Sequence, residues 1–178
     1  MISEMESRWI IEGLANVEAS KLIDGYDNYY ITTRGRVYNA QTNRYLKTRF
    51  CDGYEIVNLY KEGKMKTKTI HRLMANAFIP NLQNKKCVDH IDHDKTNNTI
   101  ENLRFATHRE NQYNKSKQKN NTSGFIGVSL QKSTKKWVAQ INTNGKHIHI
   151  GCYETAEEAS QAYQEQAKIH FGEFHNSK

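Results

Sequence analysis

The clearest periodic signal in the chain is IHRLMANAF, where Ile70, Leu73, Met74, Ala77 and Phe78 recur at the i, i+3, i+4, i+7 and i+8 spacing of a helix with one apolar face. Pro80, the only proline, helps to end that helix. His71 and Arg72 fall off the stripe and are expected at the surface, phosphate contact being the functional alternative. Upstream, from Tyr29 to about Ile70, short β-prone runs (YYITT, VYN, RYLKTRF, YEIVNLY, KMKTKTI) are separated by RGR, Asp52-Gly53 and Glu62-Gly63, which predicts an antiparallel meander. Downstream, GFIGVSLQ, KKWVAQIN and KHIHIGCY predict three strands, the last two joined by an Asn144-Gly145 hairpin turn. A helix follows: Thr155 and Glu158 form a capping box, Ala159, Ala162, Tyr163 and Ala167 give it a small-residue face, and Gly172 stops it.

Between these blocks KSKQKNNTSG is polar and rich in asparagine, serine and glycine, the composition of a linker. The expected division is residues 7–68, a β-rich module; 69–115, a central unit; 116–122, a linker; and 123–178, a C-terminal module. The fold class is α+β.

Composition narrows the function. In 178 residues the chain carries 26 Lys and Arg against 19 Asp and Glu, a formal net charge of +7 spread along its length, which points to an anionic partner. The three cysteines, at 51, 87 and 152, are odd in number and far apart, which argues against a disulfide framework and a CxxC zinc knuckle and for a reducing compartment. MISEMESRWIIEGLA is acidic early and lacks a long apolar run, so neither a secretory signal nor a membrane span is expected, and the protein is expected inside the cell.

Residues 88–111, VDHIDHDKTNNTIENLRFATHREN, concentrate carboxylates, imidazoles and carboxamides without a cysteine. The arrangement resembles the HNH nuclease family in an H-N-N variant, with His90 in VDHID, Asn102 in ENL and Asn111 nine residues on in RENQYN. That resemblance implies a ββα-metal fold and a site that hydrolyses a phosphodiester with one divalent ion. In those terms His90 is the general base, since neutral imidazole accepts a proton near pH 7. Asp89 and Asn111 offer the hard oxygens that suit Mg²⁺ or Mn²⁺. Asn102 would hold the loop of His90 by bonds to backbone instead of touching substrate. Neighbouring strand residues point to opposite faces, so Asp89 and His90 can flank a phosphate from two sides. Thr107 and Glu110 form a capping box one turn before Asn111, and they stand where some family members carry zinc-binding cysteines, so no structural zinc is expected. Lys115 lies one turn further on and is a candidate DNA contact. Asn97 and Asn98 are expected to form the turn; Asp92 and His93 are surface residues or alternative ligands.

The flanks carry further resemblances. GYDNYYITTRGRVYN, within a match running from about Trp9 into IHRLMANAFIPN, is similar to the nuclease-associated modular domain of homing endonucleases of phages and mobile introns. Arg34 and Arg36 there are candidate DNA contacts. Residues 123–178 resemble the APETALA-two (ethylene-response-factor) DNA-binding domain through SGFIGV, KKWVAQI, GKHIHIG, ETAEEASQAY and FGEF. Strand alternation puts Trp137, Ala139, Ile141, Ile148 and Ile150 toward the helix and Ser129, Gln131, Gln140, Asn142, His147 and His149 on the face that the family uses to read DNA. The plant pattern has arginines and a tryptophan at several of these positions; the amides here instead suit adenine.

The expectation is therefore a site-specific homing-type DNA endonuclease acting on double-stranded DNA, with no small-molecule cofactor and no membrane association. A DNA-binding regulator without catalysis is the main alternative, and an RNA-binding protein using its tyrosines as stacking platforms is a third.

Overall fold

The computed structural model describes residues 18–115, 117 and 120–176. The expectations for residues 7–17, including Trp9 and the N-terminal run, and for parts of the linker lie outside the described residues. The fold is α+β with every sheet antiparallel. A four-stranded sheet runs in the order β1 (Ser20–Leu22), β2 (Tyr29–Thr32), β3 (Val37–Asn39), β4 (Arg44–Tyr45), and a three-stranded one in the order β5 (Arg49–Cys51), β6 (Tyr54–Lys61), β7 (Lys64–Thr69). Strand β7 passes directly into α1 (Ile70–Phe78). Next come the two-stranded pair β8 (Cys87–His90) and β9 (Leu103–Ala106), with α2 (His108–Tyr113) after it. The last unit is β10 (Val128–Gln131), β11 (Lys136–Thr143), β12 (Lys146–Tyr153) and α3 (Ala156–Phe171).

Turn chemistry sets the registers. At Asp52-Gly53, Glu62-Gly63 and Asn144-Gly145 both central residues have positive φ, and the flanking pairs Cys51–Tyr54, Lys61–Lys64 and Thr143–Lys146 close two-residue hairpins of the primed type. A one-residue slip in any of them would turn each side chain to the wrong face.

The apolar stripe of α1 faces inward as its spacing predicts. Ile70 and Met74 are fully buried, and with Leu73 they join one core containing Ile31 and Val37 from the first sheet, Val57 and Leu59 from the second, and Leu103 from β9. Each fully buried side chain of this size contributes about 1.5–3 kcal/mol. The boundary drawn at residue 68 runs through this core, so the N-terminal sheets and α1 pack as one body. A second core lies under α3, whose Ala159 and Ala167 allow close approach to Ala139 and Ile141, with Tyr163 and Phe171 closing its sides. Capping boxes anchor α2 through Thr107 and Glu110 and α3 through Thr155 and Glu158, as the sequence pattern requires.

The two cores are bridged. Phe171 stacks on Tyr113 of α2 with ring centroids 3.9 Å apart, and the 3₁₀ turn Gly172–Phe174 lays Phe174 beneath Arg104 (4.0 Å) and Lys85 (5.1 Å). Arg104 also donates to the Glu173 carbonyl, and Arg109 reaches Asn144 at the β11–β12 hairpin (2.8 Å).

Candidate active site

Strand β8 presents Asp89 and His90 consecutively, both 6% exposed, and their partners lie on opposite sides of it. On one side Arg104 from β9 donates Nε to Asp89 Oδ2 (2.9 Å) with its Nη2 2.8 Å from the same oxygen. Asn114, the C-cap of α2, donates Nδ2 to Oδ2 (3.0 Å), to Oδ1 (3.2 Å) and to the His90 carbonyl (3.1 Å). On the other side His90 Nε2 lies 3.2 Å from Asn98 Oδ1, and its ring packs edge-on against His71, centroids 5.0 Å apart, with Tyr54 6.2 Å away.

Asn102 organises the loop between these strands. Its Nδ2 donates to Asp92 Oδ1 (2.9 Å) and to the Asn97 carbonyl (2.8 Å), its Oδ1 accepts from the Asp92 amide (3.0 Å), and its backbone carbonyl accepts from Ile91 N (2.9 Å). These bonds fix residues 91–97 directly after His90. Asp92 is the hub of the same loop. Burial pushes its carboxyl up, but hydrogen bonds from Asn97, the Asp94 amide and Asn102 outweigh that and hold it below the ordinary carboxylate range. His93 occupies a left-handed turn position, φ 69°. Burial likewise raises the Glu110 carboxyl, and bonds from Thr107 and Lys85 bring it below its usual range.

The expected ligand Asn111 sits one turn before Asn114, half-buried, and among the described residues its side chain takes no hydrogen bond; the residue that touches Asp89 is Asn114. His71 corrects the expectation of a surface role. It is 7% exposed, tilted against Tyr54 (5.0 Å) as well as His90, and among the described residues its buried Nδ1 has no hydrogen-bond partner. Hydropathy spacing missed it because its burial comes from Tyr54 and His90, which belong to other segments. Asn98, placed in the turn by sequence, instead reaches the His90 ring.

Burial, reinforced by the nearby His90 and Arg72, lowers the His71 pKa to about 4. The group is neutral when folded and titrates near 6.5 when unfolded. Its contribution is complete above pH 6.5 and is lost as pH falls toward 4, on the order of 3 kcal/mol over that window. Substituting His71→Leu is expected to flatten the change in urea midpoint between pH 7 and pH 4.5; an unchanged difference between the two midpoints would refute this origin.

The remaining candidates are spread more widely. Arg36 is engaged with Glu18 and lies over the Tyr45 ring at 4.4 Å, while Arg34 is exposed in the β2–β3 turn. On the C-terminal sheet Gln140 pairs with His149 and Asn142 with His147, with Ser129 opposite Val138 and Gln131 opposite Lys136; Gln140 is half-buried and the other five candidates are exposed. The register of β11 and β12 shifts between Ala139 and Gln140, just before these paired positions. Gln140 and Asn142 line a cleft of about 550 Å³ together with Lys115 and Lys117, so three of the expected DNA contacts share one concave surface.

The HNH endonuclease family model matches residues 68–113. DNA endonuclease I-HmuI of Bacillus phage SP01 is 39% identical over 93 residues, 51% of this chain and 53% of that protein. An uncharacterised HNH endonuclease, L245, of Acanthamoeba polyphaga mimivirus is 40% identical over 90 residues, 50% of this chain and 27% of that protein. The solved structure described as DNA binding and cleavage by the HNH homing endonuclease I-HmuI superimposes with a TM-score of 0.51 at 25% identity, covering 87% of this chain and 94% of that one. The chain belongs to the HNH endonuclease family. It spans about a quarter to three fifths of the length of the first curated relatives it matches. Ethylene-responsive transcription factor ERN3 of Medicago truncatula is 42% identical over 60 residues, 33% of this chain and 25% of that protein. Among the described residues no helix is long and apolar enough to cross a membrane.

Proposed function

We propose that the protein is a site-specific DNA endonuclease of the homing type, hydrolysing phosphodiester bonds in double-stranded DNA at the Asp89–His90 site. The observation that carries this reading is the pair on β8, a buried carboxylate fixed from one side and a buried imidazole fixed from the other, which supports a phosphate held between them. His90 accepts a proton from the attacking water. Asn102 keeps the loop after His90 in place, and Arg104 and Asn114 hold the Asp89 carboxylate in orientation.

The donor set fits one hard divalent cation such as Mg²⁺ or Mn²⁺. Among the described residues Asp89 Oδ1 takes only the 3.2 Å bond from Asn114 and retains lone pairs for a cation. Asn114 presents its nitrogen to Asp89, whereas the Asn111 carboxamide keeps its oxygen uncommitted, so Asp89 and Asn111 are the residues that would hold the ion. When bound it neutralises charge at the departing 3′ oxygen. Substituting Asn111→Ala is expected to move the Mg²⁺ midpoint for cleavage to higher concentration; a midpoint equal to the parent's would remove Asn111 from the ligand set.

Around this centre, Arg34 and Arg36 of the basic β-rich module and Lys115 bind phosphates. The exposed polar face of the C-terminal sheet (Ser129, Gln131, Gln140, Asn142, His147, His149) lengthens the recognised site, its amides favouring A·T-containing sequence. Selection from random DNA that returned only G·C-rich sites would contradict the A·T preference. Incubation with supercoiled plasmid tests the activity: cutting in Mg²⁺ and none in EDTA is expected. Intact plasmid under both conditions, with DNA still bound, would instead identify a binding-only regulator, the reading favoured by likeness to a transcription factor.

A further inference from the structure

A chain of hydrogen bonds links the N-terminal part of the molecule to His90. Thr48 Oγ1 donates to Glu55 Oε1 (2.6 Å), Asn98 Nδ2 donates to Glu55 Oε2 (3.2 Å), and Asn98 Oδ1 lies 3.2 Å from His90 Nε2. Glu55 is on β6, outside the residues matched by the family model. The Asp52-Gly53 hairpin fixes its register opposite Phe50, and Lys95 ties that hairpin to the loop after His90 by donating to the Asp52 carbonyl (3.3 Å) and lying over the Tyr54 ring (4.4 Å).

The polarity of this chain follows from donor and acceptor chemistry. A carboxylate only accepts hydrogen bonds, so the nitrogen end of the Asn98 amide faces Glu55 and the oxygen end faces the ring. An amide oxygen also only accepts, so the ring nitrogen beside it carries the proton. We propose that Glu55 is a positioning residue for His90: through Asn98 it holds the neutral imidazole in the Nε2–H form and leaves Nδ1 as the atom that takes a proton from water. This rests on the reading of His90 as general base. The attacking water gives one proton to Nδ1 as its oxygen bonds phosphorus. The P–O3′ bond breaks with its electron pair on the 3′ oxygen, which is then protonated by solvent.

The test uses the full chain labelled with ¹⁵N-histidine and long-range ¹H–¹⁵N correlation, which separates protonated from unprotonated ring nitrogens without requiring cleavage. The parent is expected to show His90 protonated at Nε2. Glu55→Gln preserves size and the contact with Thr48, but offers both a donor and an acceptor end and no longer dictates which end of Asn98 faces the ring. It should therefore show mixed tautomers, a kcat reduced about tenfold to a hundredfold and an unchanged KM for DNA. Asn98→Ala should give a similar loss, and the double variant no further loss, because the residues act in series. Nδ1 protonation of His90 in the parent, or a Glu55→Gln variant with unaltered tautomer and kcat, would overturn the proposal. If no variant or parent cuts DNA while the tautomer pattern holds, the endonuclease reading fails and the assigned ring orientation stands.

Discussion

Replacing His90 with alanine is expected to slow DNA cleavage by about 10²-fold to 10⁴-fold while DNA affinity, measured by mobility shift in EDTA, stays close to that of the parent. The separation follows from where the ring sits. At 6% exposure, packed on His71 and bonded to Asn98, it adds little contact surface for DNA, so its loss removes a proton acceptor from the reaction and not an anchor from the complex. The substitution also leaves the Asn98 amide without its ring partner, a cost of about 1–3 kcal/mol in stability. A melting curve recorded beside the kinetics distinguishes lost chemistry from lost fold. Cutting at the parental rate would dispose of His90 as the base.

A Gly127→Ala substitution is expected to destabilise the protein by roughly 3 kcal/mol or more, lowering its melting temperature by roughly 6–12 °C. Gly127 precedes β10 with φ +71°, a left-handed conformation that side chains seldom adopt. A Cβ there would lie 2.2 Å from Cδ2 and Cε2 of Tyr163 and 2.8 Å from the Gln140 carbonyl oxygen. Neither obstacle yields easily. Tyr163 is 8% exposed within the core under α3, and the Gly127 carbonyl accepts the Gln140 amide beside the register shift of β11. An alanine variant that melts with the parent would show that α3 can shift off the sheet at little cost.

The features legible in the sequence are those written in short range. Asp-Gly, Glu-Gly and Asn-Gly pairs specify hairpins through their own backbone preferences, Thr-x-x-Glu specifies helix starts, and the stripe from Ile70 to Phe78 specifies a buried face. Asp89, His90 and Asn102 fall together because the 12 residues between β8 and β9 and the short strand pair bring them back on themselves. What escaped depends on contacts between distant segments. Glu55 is 43 residues from Asn98, and nothing on a strand reading YEIVNLY distinguishes it from any solvated carboxylate. His71 lies outside the apolar pattern and is buried by Tyr54 from β6 and His90 from β8. Arg104 reads as an ordinary strand cation until the C-terminal turn brings the Glu173 carbonyl and Phe174 against it. Nine-residue spacing selects Asn111, while the path of α2 past β8 puts Asn114 against Asp89.

The centre is best interrogated by anomalous scattering from crystals of the protein grown with Mn²⁺ and an uncleaved DNA duplex. One manganese peak beside the Asp89 carboxylate, facing His90 across a phosphate, is the expected result. Bound DNA with manganese located only elsewhere, and Asp89 still satisfied by Arg104 and Asn114 alone, would contradict a metal-assisted cut at this site.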